Sequence, residues 1–138
     1  MNDSKKIQVA VVDDDACLCK AVSRLLAASG IQSTTYTSAE AFLDDQAYLE
    51  ADCLILDIQL GGLSGLDLHR HLITLGKTVP VIFITAHDEP ETCKQAQRLG
   101  CAAYFRKTDA GQTVIEAIRR AVSANTPEIK TSEPAVFA

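Results

Sequence analysis

At 138 residues the chain is long enough to close one substantial core and too short for two ordinary domains. Hydrophobic residues at 47% and charged residues at 22% place it among folded, soluble domains and exclude a disordered chain. A formal charge of -5 excludes general affinity for nucleic acid or an anionic membrane, both of which require a basic face.

The chain opens with Lys5 and Lys6 before the apolar run "IQVAVV" at 7 to 12, which is too short for a signal peptide or a membrane span. A cytoplasmic protein is expected. The run is rich in Val, reads as a strand buried on both faces, and ends in three adjacent carboxylates, Asp13, Asp14 and Asp15. Like charges so close repel and resist desolvation, so a cation or a helix start is expected beside them. A first helix follows, with Leu18, Val22, Leu25 and Leu26 at helical spacing before Gly30.

A weaker, alternating run, "IQSTTY" at 31 to 36, gives a second strand. Thr37 stands three residues ahead of Glu40, as a capping side chain does at a helix start. "CLIL" at 53 to 56 is the third strand; Asp57 ends it alone, before the loop "GGLSG". Ser64 with Asp67 starts the third helix, and "VIFIT" at 81 to 85 is the fourth strand. Asp88 with Glu91 starts a fourth helix of about 89 to 99, whose thin apolar stripe is Cys93, Ala96 and Leu99. "AAYF" at 102 to 105 is the fifth strand, followed by Lys107. A last helix runs from about 109 to 124, with Gly111 weakening its first turn. Beyond 124, "NTPEIKTSEPAVFA" has two prolines and little periodicity and reads as a tail or truncated linker, so residues 1–124 form the domain and 125–138 lie outside it.

Five β-α units with right-handed crossovers give an α/β, doubly wound, flavodoxin-like (βα)5 fold with a five-stranded parallel sheet and helices on both faces. Such sheets carry their sites at the carboxyl ends of the strands. There the order reads Asp13 and Asp14, then Asp57, Thr85 and Lys107. Three carboxylates and a lysine at one sheet edge suit Mg²⁺, a hard cation that takes oxygen ligands. Asp57, with glycines after it, is the best nucleophile; a carboxylate can accept a phosphoryl group, with Mg²⁺ and Lys107 as counter-charges. Thr85 has a hydroxyl that can donate to a phosphoryl oxygen. Singly, a strand-ending threonine or lysine is more often structural; the joint placement carries the weight.

The set in "VVDDD", "LILDIQLGGLSGLDL", "VIFITAH" and "GCAAYFRK" resembles the receiver domain of two-component response regulators, the CheY-like family, over roughly residues 6 to 124. The resemblance implies that Asp57 is the phosphoacceptor, that Asp14 and Asp57 bind Mg²⁺ directly and Asp13 largely through water, and that the Gln59 backbone carbonyl completes the protein ligands. It also implies a sensor histidine kinase as phosphodonor, and a switch in which Thr85 moves toward the new oxygens and Tyr104 turns inward. The face of the fourth helix, fifth strand and fifth helix is then reshaped, and a homodimer through that face is expected. "AEAFLDD" and "AIRRAV" look most like receivers of the FixJ type, joined to a DNA-binding output domain in a longer chain.

Two positions depart from the family. Thr108 follows Lys107 where many receivers have proline, and Gly61 stands where a proline often stiffens the loop after the acceptor. Gln59 and His87 match positions that tune water access, although His87 reads equally as an exposed loop residue. Cys17 and Cys19 lie near the acids without facing each other on a helix, and the five cysteines read as reduced thiols. The rivals are a receiver fold that binds partners without phosphate and a haloacid-dehalogenase-like phosphatase with Asp13 as nucleophile, which leaves Asp57 without a role. No glycine fingerprint for a dinucleotide follows the first strand.

Overall fold

A computed structural model describes residues 6–46, 50–87, 89–109 and 111–124. Five strands and five helices alternate: β1 (Gln8–Val12), α1 (Ala16–Ala28), β2 (Gln32–Tyr36), α2 (Ala39–Asp45), β3 (Cys53–Asp57), α3 (Gly65–Thr74), β4 (Val81–Thr85), α4 (Pro90–Arg98), β5 (Ala103–Arg106) and α5 (Gln112–Ala124). All pairings are parallel, in the order β2-β1-β3-β4-β5. The chain winds from β1 outward to β2 and then returns past β1 to β3. Strand order therefore reverses between β1 and β3, whose carboxyl ends carry Asp13 and Asp57.

Alternation within the strands divides the core in two. Val9, Val11, Ile55, Ile82 and Ile84 face a cluster closed by Cys19, Val22 and Leu26 of α1 and Val114, Ile115 and Ile118 of α5. Ala10, Val12, Leu54, Leu56 and Phe83 face a second cluster closed by Phe42 of α2, Leu68 and Leu72 of α3 and Ala96 of α4. Every residue of β3 and β4 is buried, as continuous apolar runs demand. The polar β2 and short β5 are the edges and stay partly exposed.

The helix starts follow short polar side chains. Asp15 caps α1, accepting from Cys17 N at 3.0 Å and Leu18 N at 3.2 Å. Ser64 caps α3, accepting from Asp67 N at 3.1 Å. In α2 the cap is Ser38, accepting from Ala41 N, and not Thr37, because Ser38 is the residue left extended just before the first helical turn. Asp88, expected to cap α4, lies outside the described residues; Glu89 holds the cap position with no side-chain bond, and Pro90 opens the helix. Lys107–Asp109 form a single 3-10 turn and α5 begins at Gln112, later than the expected Asp109. Gly111, at φ +144°, breaks the backbone path there, so the glycine precedes the helix instead of weakening it. Residues 125–138 lie outside the described residues. No helix among the described residues is long and apolar enough to cross a membrane.

Candidate functional site

Asp13, Asp14 and Asp57 each offer a carboxylate oxygen, and these oxygens lie within 4.8 Å of one another. Asp13 is fully buried, Asp57 is 2% exposed and Asp14 faces solvent. Asp13 is fixed on several sides: its N–H donates to the Tyr36 carbonyl at 3.0 Å, its Oδ1 accepts from Asp15 N at 2.8 Å, and its carbonyl accepts from Cys19 Sγ at 3.3 Å. Lys107 bridges the pair, with Nζ 3.0 Å from Asp13 Oδ2 and 3.2 Å from Asp57 Oδ2. Of the two Asp13 oxygens, Oδ1 accepts the lysine's hydrogen bond at 3.3 Å, whereas the buried Oδ2 is near in charge but accepts none.

The electrostatics follow from that crowding. Burial, and then the charge of Asp13, push the Asp57 carboxyl up to about 6, against the pull of the Gln59 N–H and Lys107. Burial opposes the Lys107 charge, but hydrogen bonds and attraction from Asp13 and Asp57 outweigh it and raise that group. Three carboxylates meet one ammonium, so two negative charges remain uncompensated. An oxygen-rich cluster of that charge, holding a buried carboxylate oxygen with no hydrogen bond, is a pocket that can bind a divalent metal.

The 3-10 turn, with a trans Lys107–Thr108 bond, aims the lysine into the pocket without the family's proline. Gln59 donates its backbone N–H to Asp57 Oδ1 at 3.1 Å, which sets its peptide beside that carboxylate. Thr85 is fully buried at the end of β4, but its hydroxyl serves its own turn, donating to the His87 carbonyl at 2.9 Å and accepting from His87 N at 3.1 Å. Tyr104 pairs in register with Phe83 and packs against the second cluster with its hydroxyl shielded from solvent. His87 is exposed. Cys17 and Cys19 part company: Cys17 faces solvent, and Cys19 is a core residue holding Asp13.

Two contributors lie outside the set expected from sequence. Cys19 falls at i, i+3 and i+7 with Val22 and Leu26, so the stripe itself contained the signal. Gly65 begins α3 directly on the Asp57 peptide: its N–H donates to the Ile58 carbonyl at 3.0 Å, and a Cβ would stand 2.1 Å from the Asp57 carbonyl oxygen. A glycine immediately after the cap Ser64 was the visible sign that backbone comes close there.

A family model for the response regulator receiver domain matches residues 9–119. The chain is 35% identical over 136 residues to the response regulator protein TmoT of Ectopseudomonas mendocina, covering 99% of this chain and 61% of that protein. It is 34% identical over 115 residues to the transcriptional regulatory protein FixJ of Azorhizobium caulinodans, covering 83% of this chain and 54% of that one. The solved structure of a response regulator receiver protein from Burkholderia phymatum superimposes with a TM-score of 0.75 at 40% identity, over 86% of this chain and 96% of the other. The chain thus spans between half and two thirds of the length of these two curated relatives.

Proposed function

This chain belongs to the response regulator receiver domain family and is a receiver of two-component signalling; from that premise we propose that Asp57 accepts a phosphoryl group from a sensor histidine kinase in a Mg²⁺-dependent reaction. The observation that carries the reading is the position of Asp57, buried at the carboxyl end of β3 where strand order reverses, with Lys107 Nζ 3.2 Å from its Oδ2.

In the transfer, an Asp57 oxygen attacks phosphorus, the bond from phosphorus to the donor's imidazole nitrogen breaks with its electron pair going to that nitrogen, and an acyl phosphate remains on Asp57. Asp57 reacts as the carboxylate, and the N–H of Gln59 orients its Oδ1. Lys107 sets a positive charge beside the oxygens that gain charge in transfer. Asp13, Asp14, Asp57 and the Gln59 carbonyl would hold Mg²⁺, whose charge offsets that of the three acids and of the incoming phosphoryl group.

The switch that fits this chain starts at Thr85. Its hydroxyl exchanges a neutral bond to the His87 carbonyl for a charge-assisted one to a phosphoryl oxygen, the stronger of the two. The turn at His87 is thereby released, and α4 beyond it is held by one fully buried residue, Ala96, with no side-chain cap. Tyr104 follows on β5. The remaining proposals are a receiver boundary at residue 124, a dimer or target contact through α4, β5 and α5, a DNA-binding output domain in a longer parent protein, no direct contact of this domain with nucleic acid or membrane, and a cytoplasmic location.

Incubation with Mg²⁺ and acetyl phosphate, followed by intact mass measurement, tests the reading. One base-labile phosphoryl adduct is expected on the wild type and none on Asp57→Asn. A wild type that stays unmodified but binds a partner would favour a phosphate-independent interaction module.

A further inference from the structure

The loop after Asp57 contains Gly61 and Gly62 and no proline, so its own backbone supplies little stiffness. Its ends are tied down: Gln59 N donates to Asp57 Oδ1 at 3.1 Å and Gly65 N to the Ile58 carbonyl at 3.0 Å. Between these anchors the backbone is held from another element. Glu40, in the first turn of α2, accepts from Leu63 N at 3.3 Å through Oε2.

Gly62 lies against this contact. A Cβ there would lie 3.1 Å from Glu40 Oε2 and 3.6 Å from Oε1, its nearest neighbours. The Glu40 side chain reaches out from a firm mount, because Ser38 caps α2 and Ala39 and Phe42 on either side of it are fully buried. A flexible loop and an outside acceptor therefore occur together, at the position where a proline would otherwise restrict the chain.

We propose that Glu40 is a positioning residue for phosphoryl transfer: its carboxylate clasps the Leu63 N–H and holds the glycine-rich loop in place beside Asp57. The clasp does for this loop what a proline at 61 would do covalently. It keeps the Gln59 peptide against the acceptor and limits the entry of water to the acyl phosphate. The part concerning phosphate rests on the reading of Asp57 as acceptor; the clasp itself does not.

The experiment pairs amide hydrogen exchange on the unphosphorylated full chain with the lifetime of the acetyl-phosphate adduct by intact mass. Loss of one such hydrogen bond predicts that Glu40→Ala speeds exchange at Leu63 roughly three- to tenfold, leaves the β3 and β4 amides unchanged, and shortens the adduct lifetime at least about threefold by the same factor. Glu40→Gln retains an acceptor oxygen, so both readouts stay near wild type. Gly62→Ala crowds the same carboxylate, speeds Leu63 exchange no further than Glu40→Ala does, and adds nothing in the Glu40→Ala background. Unchanged Leu63 exchange in Glu40→Ala overturns the clasp, and so does Glu40→Gln behaving like Glu40→Ala, which would make the effect one of charge. A wild type that forms no adduct overturns the acceptor reading instead, and the exchange data still decide the clasp.

Discussion

At the scale of single residues, the acidic triplet divides its labour. Asp15 belongs to α1 as its cap, Asp13 is locked in place by Tyr36, Cys19 and Lys107, and Asp14 remains open to solvent. Asp57 bears the cost of that crowding. Its carboxyl lies near 6 in the fold, above its ordinary 3.8. Its ionised form therefore opposes folding, and the stability present below pH 3.8 is lost as pH rises through 6. A raise of about two units bounds the effect at about 3 kcal/mol. In metal-free buffer at pH 7.5, Asp57→Asn is expected to be more stable than wild type by up to that amount and to show a smaller stabilisation by Mg²⁺; urea melts with and without the metal measure both. Gly65→Ala is expected to lower stability by about 2–4 kcal/mol in the same melts, because its Cβ meets backbone 2.1 Å away and either α3 or β3 must shift. The charged residues of this site were legible because their types and strand-end placement are unusual together. Cys19 reads in the sequence only as a reduced thiol near the acids and Gly65 only as part of the loop; the helical stripe and the glycine after the cap are visible there, but their closeness to the backbone of Asp13 and Asp57 is a property of the fold.

At the scale of elements, the two sides of the sheet are unequally secured. α1 and α5 each bury at least three side chains, whereas α4 buries Ala96 alone and starts without a side-chain cap. Cys93 and Leu99, read from sequence as part of its stripe, are only half-buried. Amide exchange in α4 is expected to be at least about tenfold faster than in α1 or α5, given how local stability follows buried apolar contact; equal protection would remove the basis for α4 as the element that moves. α3 holds a different feature. His69 is 7% exposed, its ring lies 5.6 Å from that of Phe83, and its Nδ1 is buried without a hydrogen bond. Burial lowers its proton affinity, so the folded state resists protonation more than the unfolded chain. The stability it helps secure is complete above the ordinary value of 6.5 and declines as pH falls below it, toward the lower folded value. Melts of His69→Leu between pH 7.5 and 5.5 are expected to show a shallower loss than wild type. Helix existence was legible from spacing. Helix starts were less so, because Thr37 and Ser38 are chemically equivalent caps and the backbone alone chooses between them.

At the scale of the whole molecule, winding order does most of the work. Asp13, Asp57 and Lys107 are separated by up to 94 residues, yet parallel strands of one sheet bring them within hydrogen-bond reach. That convergence was readable in advance, since apolar runs interleaved with helices permit few topologies and all place strand ends together. What the pattern leaves open is the direction of a side chain at a strand end, and there Thr85 turned to His87 instead of toward Asp57. The proposed transfer puts phosphate on the carboxylate at position 57 alone. The most direct measurement is to phosphorylate the protein with acetyl phosphate and Mg²⁺, reduce the acyl phosphate with borohydride, and locate the resulting homoserine by peptide sequencing in a mass spectrometer. Homoserine at residue 57 and at no other acid is the predicted result; homoserine at Asp13 or Asp14, with residue 57 intact, would overturn Asp57 as phosphoacceptor.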